Sequence, residues 1–286
     1  LLVRAIDVAG NRSVAFPGDG FLIDYTVPET GMVFDGLSGD PVYTGSDTTI
    51  DAHWSGFADD VSGIAYYEAA LGSAPQGTEI VDWTSSLVDT FVTMDSLTLI
   101  SGETYYLSVR AFDVAGNTSA VVSSSGITVD TEPPAQGLVH DGAAADLDWS
   151  NQDSSLTAFW TTFTDLLSGT KDYSVSIGTA TGQDDVYAWT SVGDTSMAVF
   201  DGLVLEEATT YFFNVIANDS VDNASLPVSS DGITIDRTAP ATVMDLDYYY
   251  YGPDRWDDTP DPLSGGASDE LSGVQSVEIM INRIAD

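Results

Sequence analysis

The sequence predicts an all-β chain built as tandem antiparallel β-sandwich domains. Three observations carry this reading: a long repeat held in register, short apolar runs that alternate at period two, and no amphipathic helical stretch to compete with them. The repeat offset is 106 residues, carrying Asp7-Val8-Ala9-Gly10-Asn11 onto Asp113-Val114-Ala115-Gly116-Asn117 and then onto Asp219-Ser220-Val221-Asp222-Asn223. The same offset joins Asp24, Asp130 and Asp236, and it joins Pro28, Pro134 and Pro240. It also pairs Trp54 with Trp160, Phe57 with Phe163, Tyr67 with Tyr173, Gly72 with Gly178, Trp83 with Trp189, and Tyr105 with Tyr211. A period of this length exceeds most solenoid units and suits an autonomous domain.

Taken in chain order, residues 1–24 read as the C-terminal part of a β-sandwich module, and residues 25–130 and 131–236 as complete modules. Residues 237–286 read as the N-terminal part of a further, divergent module, so the expectation is a window on a longer array. Inside a module, Thr49, Asp51 and His53 alternate with Ile50, Ala52 and Trp54, and the run from Thr104 to Phe112 alternates in the same way. Ile127 and Val129 form a last short strand before the proline-containing junction. Glycine, aspartate and serine clusters such as Gly36 to Asp40 and Ser62-Gly63 supply the turns between runs. Several short strands with turns between them form a sandwich whose inner faces bury the aromatics.

The charge balance bounds the partners. Seven Lys and Arg face 45 Asp and Glu, giving a formal net charge of −38. Such a chain repels phosphate backbones and anionic lipid, so nucleic-acid binding is excluded and cations are its natural small partners. A hydrophobic content of 43% with 6 Trp, 13 Tyr and 11 Phe supplies real cores, so the acidity does not imply disorder. Cysteine is absent, which removes disulfides, thiolate metal sites and thiol nucleophiles. No stretch approaches the roughly 18 apolar residues of a membrane span, and no direct membrane insertion is expected.

At the level of residues, the chain resembles the fibronectin type III and bacterial immunoglobulin-like superfamily. The resemblance rests on Trp54 with Tyr67 and Trp160 with Tyr173, in the spacing of a B-strand Trp and a C-strand Tyr. Leu99, Tyr105, Val109 and Ala111, repeated as Leu205, Tyr211, Val215 and Ala217, fit the approach to the family's F strand. It covers residues 25–236 and is similar to modules of very large secreted or surface-anchored microbial proteins. The position matching Trp54 in the last partial module falls at Gly266, where the resemblance lapses.

The recurring polar groups carry two readings. Asp113 with Gly116 and Asn117 can cap the turn after the F strand, or supply hard oxygen ligands to calcium. The calcium candidates are Asp113, Asn117, Asp130, Glu132, Asp219, Asn223 and Asp236, with Asp59, Asp60 and Asp165 on nearby loops; none follows the EF-hand spacing. Tyr248, Tyr249, Tyr250, Tyr251 and Trp256 form the candidate recognition loop, where aromatics beside carboxylates could stack on sugar rings. Asn11, Asn117, Asn218 and Asn223 lie in glycosylation-acceptor triplets. His53 and His140 are the only histidines, and no nucleophile elbow, zinc-protease helix or phosphate loop occurs, so no enzyme activity is expected.

These features predict a structural spacer or stalk in a large extracellular, surface-layer, filament or adhesin-like protein, secreted or at the cell surface. Its expected partners are neighbouring modules of the same longer chain, with self-assembly as a further mode. The alternative is an adhesion module that holds a surface glycan or a protein through loop aromatics and acidic loops.

Overall fold

The structure, a computed structural model, describes residues 1–245 and 264–278. All its regular elements among these residues are β-strands, and no helix is long and apolar enough to cross a membrane. The chain divides into two compact units, residues 1–132 with 220–223, and residues 133–219 with those from Ala224 onward.

Unit 1 begins with a two-stranded ladder of β1 (Leu2–Val3) and β2 (Phe16–Pro17). Its sandwich follows in order: β3 (Met32–Asp35), β4 (Tyr43–Thr44), β5 (Ile50–Ser55), β6 (Ile64–Gly72), β7 (Val81–Leu87), β8 (Phe91–Met94), β9 (Thr104–Asp113), β10 (Val122–Ser123) and β11 (Ile127–Val129). One sheet runs β3-β5-β8 and the other β4-β11-β9-β6-β7, with β10 also paired to β9. All pairings are antiparallel except β11 with β4.

The strand pattern follows from period-two alternation. Along β5, Ile50, Ala52 and Trp54 are buried while Asp51 and His53 are partly exposed. Tyr105, Leu107, Val109 and Ala111 of β9 meet them from the other sheet, with Tyr67, Ala69 and Leu71 of β6 beside them. The Trp54 and Tyr67 rings meet edge-on at 5.5 Å and the Phe57 and Tyr67 rings at 5.7 Å. Such geometry sets the ring edge of one against the π face of the other. On the outer face, Glu68 and Arg110 stand opposite each other across β6 and β9, 2.6 Å apart, and the guanidinium lies 4.3 Å from the Trp83 ring centre.

Unit 2 repeats the plan with β12 (Val139–Asp141), β13 (Trp149–Ser150), β14 (Ser155–Trp160), β15 (Thr170–Gly178), β16 (Tyr187–Gly193), β17 (Met197–Asp201), β18 (Thr210–Asp219), β19 (Val228–Ser229) and β20 (Ile233–Ile235). Its sheets are β12-β14-β17 and β13-β20-β18-β15-β16, with β19 also paired to β18. The core holds Trp160, Phe163, Tyr173, Phe200, Tyr211 and Phe213. Beyond it, β21 (Ala241–Asp245) pairs antiparallel with β22 (Ser264–Ser268), setting Gly266 opposite Val243.

One buried phenol serves each sandwich in the same way. Ile100 N donates to Tyr105 Oη at 3.0 Å, and Glu206 N donates to Tyr211 Oη at 2.8 Å. Each bond ties the loop before an F-type strand back to that strand's first turn. Tyr105→Phe or Tyr211→Phe is expected to lower stability by about 1–3 kcal/mol in urea unfolding, because the backbone donor loses its acceptor.

Candidate functional site

Three loops of unit 1 deliver carboxylates to one place. Asp59 opens the turn between β5 and β6, where its Oδ1 accepts hydrogen bonds from Val61 N at 3.1 Å, Ser62 N at 2.6 Å and Gly63 N at 2.9 Å. Gly63 closes that turn at a φ of 78°, which a side chain would resist. Asp113 ends β9, and its two oxygens accept from Asn117 N and Asn117 Nδ2, each at 2.8 Å. Asp24 Oδ1 accepts from Thr26 N at 2.9 Å and from Thr26 Oγ1 at 2.5 Å. Asn117 Nδ2 also donates to the Asp24 carbonyl at 3.3 Å, fastening the two loops together.

One carboxylate oxygen from each of Asp24, Asp59 and Asp113 lies within 4.8 Å of the others. Asp24 is only 9% exposed, and its Oδ2 stands beside Ser62 yet accepts no hydrogen bond of ordinary geometry. The Thr26 hydroxyl holds the Asp24 carboxyl below the usual carboxylate range, and the Ser62 and Gly63 amides do the same for Asp59. Both are therefore ionised at neutral pH. The described ion pairs involve Arg110, His140 and Arg237, none of them at this cluster. Converging carboxylate oxygens are the donor type of a hard divalent ion such as calcium or magnesium.

Asp113 and Asn117 thus come together: Asp113 caps the turn by accepting from Asn117, and it also lies beside two other acids. The Asn117 amide nitrogen is already bonded within the cluster. Asp130 follows β11; its N donates to the Thr44 carbonyl at 2.8 Å, and its Oδ1 accepts from Glu132 N at 3.2 Å. Glu132 enters there through its backbone. Asn223 Nδ2 donates to the Asp130 carbonyl at 2.9 Å, the counterpart of the Asn117 bond to Asp24. Asp219 ends β18, as Asp113 ends β9.

Asp236 follows β20 and accepts from Thr238 N at 3.0 Å and Ser272 N at 3.1 Å, and the Ser272 hydroxyl holds its carboxyl low. Asp269 Oδ1 caps the neighbouring turn, accepting from Leu271 N at 3.0 Å and Gly273 N at 2.9 Å, as Asp59 does in unit 1. Tyr248, Tyr249, Tyr250, Tyr251 and Trp256 lie outside the described residues. Sequence reasoning missed Asp24 as a partner of Asp113 and left Asp59 among many loop acids. The available signal was the repeat itself, which carries Asp24, Asp59 and Asp113 onto Asp130, Asp165 and Asp219.

No family model matches the chain. It is 30% identical over 211 residues to Exoglucanase B of Cellulomonas fimi, an alignment covering 72% of this chain and 17% of that enzyme. It is 27% identical over 218 residues to Chitinase A1 of Niallia circulans, covering 76% of this chain and 28% of that enzyme. The chain therefore spans less than a third of either relative. Among solved structures, the fibronectin(III)-like modules of Clostridium thermocellum CbhA match with 14% identity and a TM-score of 0.39, over 77% of this chain and 99% of theirs. A stretch of titin domains matches with 17% identity and a TM-score of 0.41, over 73% of this chain and 67% of that one. With its paired sheets, parallel edge strand and Trp-Tyr core, the fold resembles tandem fibronectin type III and immunoglobulin-like sandwich modules.

Proposed function

We propose that this chain is a structural spacer within a larger extracellular protein, with its acidic loops held by bound calcium. The observation that carries the reading is the repetition of one complete sandwich plan in register, each copy with its own filled core. The proposed modules are residues 25–130 and 131–236, flanked by parts of further modules at 1–24 and 237–286. By name one relative acts on a glucan and the other on chitin, and this chain aligns with only a minor part of each. That supports a secreted setting in which such modules separate other domains.

Calcium is proposed at Asp24, Asp59 and Asp113. Binding there would join loops from distant parts of the chain and stabilise the folded state by linkage. The spacer reading is tested by retention of the purified protein on insoluble cellulose and chitin. A spacer is retained no more than serum albumin. Specific retention that Trp256→Ala abolishes would replace the spacer with a glycan-binding module.

A further inference from the structure

We propose that Asp141 is a proton-operated clasp between the two sheets of unit 2, one that tightens as the surroundings turn acid. Asp141 ends β12 in one sheet, and its Oδ2 accepts from Gly232 N, just before β20 of the other, at 3.0 Å. The arrangement belongs to the repeat. In unit 1 Asp35 ends β3, and its Oδ2 accepts from Gly126 N, just before β11, at 3.0 Å.

Both aspartates are 0% exposed, and in both the second oxygen, Oδ1, is buried and accepts no hydrogen bond of ordinary geometry. A carboxylate placed there loses water that the protein only partly replaces, whereas the neutral acid gives up far less. The Ser230 hydroxyl, which accepts from Phe213 N at 3.0 Å, and the Gly232 amide favour the ionised form. Burial outweighs them and raises the Asp141 carboxyl to about 6. Burial raises the Asp35 carboxyl too, against Ser124 and Gly126.

The neighbouring charges push the same way. Asp231, in the loop before β20, and Asp146, whose Oδ1 accepts from Asp141 N at 2.9 Å, both add to the rise. His140 Nδ1 is turned to Asp146 Oδ2, at 3.1 Å. β14, which pairs with Asp141 through Ala158, carries no ionisable side chain, and neither do β19 and β20. On β18 they are Tyr211, whose Oη accepts from Glu206 N, and Asp219, at the opposite end of the strand from Thr210 and Phe212, where Gly232 lies. Unit 1 carries Ser125 in the place of Asp231, its Oγ 3.4 Å from Asp35 Oδ2. The folded value of about 6 stands above the ordinary 3.8, so the stability that Asp141 contributes is complete below 3.8. It is lost as pH rises through about 6, and at neutral pH Asp141 is a buried charge.

The test is urea unfolding of the 286-residue protein in chelator, from about pH 7.5 down to about pH 4, beside its Asp141→Asn and Asp231→Ser variants. Asparagine keeps an acceptor for Gly232 N and carries no charge, so it stands in for the protonated acid. As pH falls, the folding equilibrium of the wild type is expected to gain roughly a hundredfold on that of Asp141→Asn. Asp231 is exposed, and Asp231→Ser is expected to move this gain to lower pH. Parallel profiles for the wild type and Asp141→Asn overturn the proposal. A second measurement needs no variant to fold: the Asp141 carboxyl carbon, followed by NMR in the wild type, should titrate near 6, and a midpoint below about 5 overturns the clasp.

Discussion

Replacing Trp160 with alanine is expected to destabilise its sandwich by about 3–5 kcal/mol, with Trp54→Ala costing a similar amount in the other. Both side chains are buried, and each packs against a tyrosine of the opposite sheet, at 5.5 Å for Trp54 and 5.6 Å for Trp160. The two cores share no residue, so each substitution removes the centre of one of them. Urea unfolding followed by circular dichroism measures the loss. Trp→Phe at either position should cost clearly less than Trp→Ala. It keeps an aromatic ring and removes an indole Nε1 that is buried without a hydrogen-bond partner in both units. A loss under about 1 kcal/mol for Trp160→Ala would contradict its place in the core.

Alanine at Gly31 or Gly137 is expected to cost about 3 kcal/mol, although neither glycine requires a left-handed backbone. Space is the reason. A Cβ on Gly31 would lie 2.1 Å from the Ser55 carbonyl oxygen and 2.7 Å from Phe57 N. One on Gly137 would lie 2.4 Å from the Thr161 carbonyl oxygen and 2.8 Å from the Phe163 ring. The obstructing carbonyls belong to the backbone, so relief means moving a strand end. By contrast, Gly10 to alanine meets nothing within 4 Å and is opposed only by its φ of 90°. Thermal unfolding of Gly31→Ala and Gly137→Ala beside Gly10→Ala separates the two causes, with the first two showing the larger fall.

Much of the fold was legible because its determinants are local. Ile50, Ala52 and Trp54 alternate along one strand, and burial on one face follows from that alternation alone. The same holds for Tyr105 through Ala111. The turn at Asp113 to Asn117 was readable for the same reason, since the side chain that caps it and the amides it accepts lie within one short phrase. The carboxylate clusters were not readable. Asp24, Asp59 and Asp113 come from three separate loops, and only the closing of the sandwich sets them within 4.8 Å. Asp141 was hidden by composition: in a chain of net charge −38, an aspartate reads as solvated surface, yet this one is fully buried.

The most direct test of the calcium-held spacer is thermal unfolding with excess chelator, with calcium and with magnesium, at constant ionic strength. Calcium should raise the midpoint saturably, by the equivalent of roughly 2.7 kcal/mol at a hundredfold excess over the dissociation constant for one site. Adding Asp59→Asn should abolish the gain. Identical midpoints in chelator, calcium and magnesium would contradict it, and would leave sandwiches held by their cores alone.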